Sequence, residues 1–130
     1  MSQTYDRGGR IASEARNLTN ITGDPGTGTQ AFSYDGSSRV TGSSGLTKTN
    51  TYTYDLDGDR VSRSDGTIST TFVYDRASEL QSQTIGATTK NFAYDAFGNL
   101  TTSADDQSTL TTYAYDKASR PKAKRITGNA

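Results

Sequence analysis

The sequence contains no cysteine and no histidine. Without cysteine, no disulfide can hold the fold and no thiolate can act as a nucleophile or metal ligand. Without histidine, the side chain that most often serves as a general acid or base near neutral pH is missing. We therefore expect no cofactor, and an enzyme is the least expected class of protein.

The sequence also has no excess of charge of either sign and no long apolar run. Its 14 basic and 14 acidic residues give a net charge of zero, so no electrostatic attraction to nucleic acid or to an anionic membrane is expected. No apolar stretch approaches the roughly 20 residues that span a bilayer. Residues 1–10 are polar and contain no apolar segment of the kind found in signal peptides.

Apolar residues are scarce, whereas serine and threonine are abundant. Hydrophobic residues make up 30% of the chain, and 37 of its 130 residues are Ser or Thr. Such a composition can indicate disorder. The aromatic residues, however, recur at regular intervals, and this regularity favours an ordered repeat.

A Tyr-Asp pair recurs six times, with intervals of 29, 20, 20, 20 and 21 residues. The pairs are Tyr5-Asp6, Tyr34-Asp35, Tyr54-Asp55, Tyr74-Asp75, Tyr94-Asp95 and Tyr115-Asp116. Five of the six tyrosines have an aromatic residue two positions earlier: Phe32, Tyr52, Phe72, Phe92 and Tyr113. Four are followed six residues later by an aliphatic residue: Ile11, Val40, Leu80 and Leu100. Residues 1–130 are thus predicted to form a single repeat array.

Each repeat predicts two strands and two turns. Aromatic residues at alternating positions place both rings on one face of a strand. The aspartate then ends the strand by accepting hydrogen bonds from the next backbone N–H groups, and we expect Gly8, Gly58 and Gly98 to take positive φ in this turn.

The other end of the repeat is a second turn. Asp65-Gly66 lies between two runs of β-forming residues, which is a strong hairpin signal. The predicted strands in this part of the chain are Arg60–Ser64, Ile68–Tyr74, Leu80–Thr84, Thr88–Tyr94, Leu100–Ser103 and Leu110–Tyr115.

Stacking of such units predicts an all-β fold, a twisted and spiralling antiparallel sheet of two-strand repeats. One hairpin cannot bury its apolar face alone, whereas stacked neighbours share a continuous layer. We therefore expect the rings and aliphatic side chains to form a buried layer, with Tyr52 or Tyr113 as exposed exceptions, and the Ser/Thr-rich face to be wet. The long first interval predicts a surface loop over residues 17–29.

The repeat closely resembles the YD repeat of the Rhs family. The resemblance rests on Tyr-Asp-Arg-Gly-Gly-Arg-Ile at 5–11, Tyr-Asp-Gly-Ser-Ser-Arg-Val at 34–40 and Tyr-Asp-Ala-Phe-Gly-Asn-Leu at 94–100. In the family, these repeats form sheets that spiral into hollow shells, and in bacterial toxins the shell encloses a toxic domain. Similar repeats serve adhesion in teneurins and bacterial wall-associated proteins, and some members are credited with carbohydrate binding.

Two chemical alternatives arise from the carboxylates. Asp55, Asp57 and Asp59 alternate as calcium ligands do, but the glycine stands fourth in the loop, not sixth, and no glutamate closes it. Asp105 and Asp106 could suggest acid–base chemistry, but adjacent residues in a turn are more simply turn formers. No metal, cofactor or catalytic residue is therefore predicted.

Three functions follow as expectations. The first is a scaffold, namely a wall segment of a secreted or cell-surface bacterial shell or adhesin. In this case the chain would be a piece of a longer protein, with its export signal elsewhere. The second is a filament subunit that stacks end to end, because an uncapped array ends in matching edges. The third is a surface that binds carbohydrate or protein. The expected partners are other YD repeats, of the same or a neighbouring chain, together with glycans or an enclosed toxin domain outside this segment.

Overall fold

The computed structural model describes residues 2–16, 28–45 and 48–128. Within these residues the fold is all-β, with twelve strands and no helix. The strands are β1 (Ser2–Tyr5), β2 (Ile11–Arg16), β3 (Gly28–Tyr34), β4 (Val40–Ser44), β5 (Asn50–Tyr54), β6 (Arg60–Ser64), β7 (Ser69–Tyr74), β8 (Leu80–Ile85), β9 (Thr88–Tyr94), β10 (Leu100–Asp105), β11 (Leu110–Tyr115) and β12 (Pro121–Thr127).

The strands form one sheet in which they follow one another in chain order, from β1 to β12. Antiparallel pairing joins β1 through β5, and likewise β7 through β12. Antiparallel strands that are neighbours in sequence can be joined by a short turn, as β9 and β10 are by residues 95–99. The predicted fold class, an antiparallel sheet of tandem two-strand repeats, is confirmed.

The chain divides into two compact units. The first comprises Met1–Thr53 with Ser62–Ile68, and the second comprises Tyr54–Val61 with Ser69–Ala130. Each unit contains complete Tyr-Asp turns, such as those of Asp35 in the first unit and Asp95 in the second.

The predicted strand positions agree with the structure to within two residues at each end. Strands β6, β9 and β11 have the predicted bounds, whereas β7 begins at Ser69 instead of Ile68. Strands β8 and β10 continue to Ile85 and Asp105, beyond the predicted ends. The predicted loop at 17–29 lies outside the described residues up to 27, and its last two residues belong to β3.

A β-bulge follows the Tyr-Asp turn in five hairpins. In the hairpin of β9 and β10, Tyr94 pairs with Leu100 whereas Ala93 pairs with Thr102, so Thr101 is an extra residue. The same register shift lies beside Tyr5, Tyr34, Tyr74 and Tyr115. An extra residue reverses the alternation of faces, and the bulge therefore places both Leu100 and Ser103 on the face that carries Tyr94.

Candidate functional site: the Tyr-Asp turns and the ring face

The repeated feature with the most hydrogen bonds is the Tyr-Asp turn, defined as the aspartate and the four residues that follow it. In the turn 95–99, Asp95 Oδ1 accepts hydrogen bonds from the N–H of Phe97 at 2.9 Å and of Asn99 at 3.0 Å. The Asp95 N–H donates to the Asn99 carbonyl at 2.9 Å, and the Gly98 N–H donates to the Asp95 carbonyl at 3.0 Å. The Asp95 carboxylate thus accepts two backbone N–H groups that have no partner in a neighbouring strand, because they lie in a turn.

In the other Tyr-Asp turns too, each carboxylate accepts two backbone N–H groups, and one of them always belongs to the fourth residue after the aspartate. Their carboxylates accept backbone N–H groups of the following residues: Gly8 and Arg10 at Asp6, Ser37 and Arg39 at Asp35, Gly58 and Asp59 at Asp55, Ala77 and Glu79 at Asp75, and Ala118 and Arg120 at Asp116. Asp55 differs in accepting from the third residue, Gly58, and not from the second. The hydrogen bond from the fourth residue is common to all six turns and indicates one structural task for the aspartates.

The third residue after each aspartate has a left-handed backbone. These residues, all Gly or Ser, are Gly9, Ser38, Gly58, Ser78, Gly98 and Ser119. Gly58 and Gly98 therefore have the predicted positive φ, at 98° and 78°. The expectation for Gly8 was wrong, because the left-handed position in that turn belongs to Gly9 at 75°.

The second carboxylate oxygen binds the side chain of the fourth residue in several turns. Arg10, Arg39 and Arg120 donate from Nε to Oδ2 of their aspartates at 2.6, 2.7 and 2.7 Å. Asn99 Nδ2 donates to Asp95 Oδ2 at 3.0 Å. In the turn at 75–79, where Glu79 occupies this position, Gln81 Nε2 donates to Asp75 Oδ2 instead.

These hydrogen bonds stabilise the charged form of the aspartates. Donation by the backbone N–H of the fourth residue is the main reason that the pKa values of Asp6, Asp35, Asp75 and Asp116 lie below the ordinary value. The Asn99 side chain is the main cause for Asp95. The carboxylates therefore stay ionised at neutral pH and remain acceptors only.

Side chains of one turn also reach the next repeat. In the first unit, the Arg10 guanidinium lies over the Tyr34 ring, with 4.6 Å between Cζ and the ring centroid. Tyr34 Oη in turn donates to the Ile11 carbonyl at 2.8 Å. In the second unit, Asn99 Nδ2 donates to Ser119 Oγ at 3.1 Å. The fourth residue of the turn thus both completes its own turn and holds the following one.

Asp105, which the sequence predicts as a turn former, makes the same kind of turn without a preceding tyrosine. Asp105 Oδ1 accepts the N–H groups of Gln107 and Thr109 at 3.2 and 2.8 Å, and Ser108 has a φ of 71°. The spacing of aspartate, left-handed residue and fourth residue is the one found after each Tyr-Asp pair. That spacing was visible in the sequence and identifies Asp105 as a turn-forming residue, not an acid–base group.

The ring face, meaning the face of the sheet that carries the rings of residues such as Phe92 and Tyr94, is only half-buried. Among the described residues no hydrophobic side chain is buried, and Tyr5 is 59% exposed. The expected buried ring layer was therefore wrong, because one sheet covers its rings only with their neighbours. Tyr52 and Tyr113, expected as exposed exceptions, are half-buried, as Phe92 and Tyr94 are.

The two buried residues of the described chain are polar. Ser103 and Thr111 are 4% and 8% exposed. Phe92 pairs with Ser103, and Ser103 pairs with Thr111, so all three lie on the ring face. The large rings project past these short side chains, and the short side chains therefore occupy the most enclosed positions.

Two kinds of site are absent from the described part of the chain. It contains no group of three or more His, Cys, Asp or Glu residues placed to hold a metal ion. It contains no helix long and apolar enough to cross a membrane. Asp55, Asp57 and Asp59 lie in a Tyr-Asp turn, where Asp55 accepts backbone hydrogen bonds like its counterparts.

The fold and its repeated turn define the chain as a tandem β-hairpin repeat protein. The model of the RHS repeat family matches residues 94–130, which include the turns of Asp95 and Asp116. This match confirms the resemblance of the repeat to the Rhs family for residues 94–130. A comparison with curated protein sequences gives no match.

Two solved structures have closely similar folds. A chain of the TcdB2-TccC3-Cdc42 crystal structure matches 98% of this chain with a TM-score of 0.79 and 15% identity. A chain of the Photorhabdus luminescens Tc holotoxin pore, carrying a mutation in TccC3, matches 94% with a TM-score of 0.73 and 17% identity. This chain spans 8% of the length of each. At this level of identity the likeness concerns the fold.

Proposed function

We propose that the chain is a structural scaffold, a wall segment of a secreted or cell-surface shell or adhesin built from Rhs-type repeats. The observation that carries the proposal is the recurrence of one hydrogen-bonded turn in all six Tyr-Asp repeats. A catalytic or binding group is needed once, whereas a turn that recurs in every repeat performs the same structural task in every repeat. The proposal assigns the chain no enzymatic role.

A wall segment acts by staying rigid and by keeping other molecules out of the space that the wall encloses. Each hairpin adds two paired strands to the sheet, so stability propagates from repeat to repeat. The solved structures of similar fold are toxin complexes whose chains are much longer than this one, which supports the role of a segment. In such a wall the partners are neighbouring repeats and an enclosed domain outside this sequence.

Limited trypsin digestion tests the rigidity of the isolated chain. Arg63 and Lys90 are exposed residues within β6 and β9, and cleavage beside them requires local unfolding of a strand. A self-supporting wall segment is expected to resist cleavage there at least tenfold longer than the urea-unfolded chain. Cleavage at the rate of the unfolded chain would show that the segment cannot serve as a wall.

Exclusion is tested in the longer protein that contains the segment. We expect any enclosed domain to become accessible to protease when Asp95 and Asp116 are both replaced by alanine, because two adjacent turns lose their hydrogen-bond acceptors. Unchanged protection in a variant whose strand amides exchange faster would contradict a wall function for this segment.

A binding surface is the second candidate, and it is favoured by the half-exposed rings. Sugar rings stack on exposed aromatic side chains, and the rings of β9 and β11 are available on one face. Binding to a glycan array that is lost on replacing Tyr113 by alanine would support this function. The filament alternative is less favoured, because β12 contains Pro121, Lys122, Lys124 and Arg125, residue types that discourage strand addition at an edge.

A further inference from the structure

One Tyr-Asp turn differs from the others in exposing a large apolar side chain among acids. Leu56 is fully exposed, at 103% of its reference surface. It lies between Asp55 and Asp57, and Asp59 ends the same turn. The equivalent residues of the other turns are small or basic: Arg7, Gly36, Arg76, Ala96 and Lys117. The Leu56 turn, residues 55–59, therefore presents an apolar tip surrounded by carboxylates.

A groove of complementary character lies on the same compact unit, between β11 and β12. The groove has a volume of about 450 Å³, which is within the range of about 300–1,000 Å³ that suits small ligands. Its walls are Tyr113, Tyr115, Pro121, Lys122, Ala123 and Lys124. The groove therefore combines two rings and a proline with the ammonium groups of two lysines, and Lys124 Nζ lies 5.9 Å from the centroid of the Tyr113 ring.

The two surfaces carry opposite charges. Residues 117–125 include five basic residues and no acidic one, whereas the Leu56 turn has three aspartates and no basic residue. Arg120 is already paired with Asp116 at 2.7 Å, but no salt bridge engages Lys122 or Lys124 within the described residues. The basic groove is therefore complementary in charge to an acidic ligand that presents a leucine side chain.

We propose that the groove binds the Leu56 turn of a second copy of this chain. Strands β7 to β10 lie between the turn and the groove in the sheet, so the turn of one copy fills the groove of another. Leu56 packs between Tyr113 and Pro121, and the aspartates approach Lys122 and Lys124. This inference goes beyond the scaffold role and does not depend on pairing between strand edges.

The contact joins two different surfaces and is therefore head-to-tail. Such a contact generates open chains of copies unless the geometry closes a ring. A single turn in a groove is small beside a standard interface of about 1,600 Å², so association is expected only at high protein concentration. Because the charges are exposed, added salt is expected to weaken it.

Sedimentation velocity over a range of concentrations tests the proposal with three variants of the whole chain. The wild-type chain is expected to exceed its monomer mass of 13.9 kDa at high concentration. Leu56→Ser removes the tip, and the double variant Lys122→Glu with Lys124→Glu reverses the charge of the groove. Each is expected to weaken association at least tenfold. Phe97→Ser is the matched control, since Phe97 is 85% exposed in a turn with one aspartate.

Mixing the two blocked variants gives the sharpest readout. The Leu56→Ser chain retains its groove and the charge-reversed chain retains its turn, so the mixture is expected to form one-to-one dimers and nothing larger. If the charge-reversed variant does not fold, Leu56→Ser alone decides the result, since a fully exposed side chain contributes nothing to folding.

Three outcomes would overturn the inference. A wild-type chain that stays monomeric throughout has no such contact, and association that survives Leu56→Ser uses another surface, such as the strand edges. Binding of an acidic oligosaccharide to the groove without self-association would assign the groove to a different partner. None of these results would change the trypsin resistance on which the scaffold proposal is judged.

Discussion

Arg10 and Asp35 connect two successive Tyr-Asp turns, because Arg10 Nη1 donates a hydrogen bond to the backbone carbonyl of Asp35 at 3.1 Å. The same Nη1 is 3.2 Å from Ser38 Oγ, while Nε of Arg10 binds Asp6 in its own turn. A planar guanidinium can bind on two sides at once, which a lysine ammonium at this position could not reproduce. The Arg10 side chain therefore binds both the aspartate of its own turn and the backbone of the next turn.

Replacing Arg10 by glutamine should reduce the free energy of unfolding of the chain by about 1–2 kcal/mol. A half-exposed cation–π contact is worth about 0.5–1 kcal/mol, and the hydrogen bonds of the guanidinium to Asp6, to the Asp35 carbonyl and to Ser38 are also lost. Urea unfolding followed by circular dichroism measures the change. Arg7→Gln is the matched control, because Arg7 is an exposed arginine of the same turn. Equal losses in both variants would show that the contact with Tyr34 contributes nothing.

Replacing Gly98 by alanine should destabilise the chain by about 1 kcal/mol, because its φ of 78° lies in the left-handed region that a Cβ disfavours. The added Cβ would also lie 3.2 Å from Glu79 Oε1. Gly36→Ala is the control, since a Cβ there meets nothing within 4 Å and Gly36 has no positive φ. The midpoints of urea unfolding of the two variants measure the difference in stability. An unchanged midpoint for Gly98→Ala would show that a Cβ causes no strain at this position.

Phe92 and Phe97 provide a matched pair for the ring face. Phe92 is half-buried on β9, so Phe92→Ala should cost about 1–2 kcal/mol, part of the value for a fully buried ring. Phe97 is 85% exposed at a turn, and Phe97→Ala should change the stability by less than about 0.5 kcal/mol. Thermal and urea unfolding measure both. Similar effects of the two substitutions would mean that the ring layer does not stabilise the sheet.

The pH dependence of stability should follow the turn aspartates. Their pKa values are lowered in the folded chain, so their contribution is fully present above the unfolded value of about 3.9 and is lost as the pH falls through the folded values. The urea midpoint should therefore change little between about pH 7 and 5 and fall steadily below about pH 4. Asp116→Asn should make that fall shallower. A midpoint that rises on acidification would contradict this account.

The strands and turns could be predicted because their signals are local. Alternating aromatic residues such as Phe92 and Tyr94 determine which face of a strand is apolar, and the following aspartate ends that strand within a few residues. The choice between Gly8 and Gly9 for the left-handed position was predicted wrongly. The left-handed residue is the third one after the aspartate, and the presence of a glycine elsewhere in the turn does not indicate this position.

The sequence by itself therefore determined the repeat, the strand order along the chain and the positions of the turn aspartates, because these depend on residues within one hairpin. Only the tertiary structure decided the bulge at Thr101, the burial of Ser103 beside Phe92, and the contact of Arg10 with Tyr34. Each of these depends on the register between paired strands, which places side by side residues that are apart in the sequence. The half-exposed ring face follows for the same reason, since a single sheet covers its rings only with neighbouring side chains.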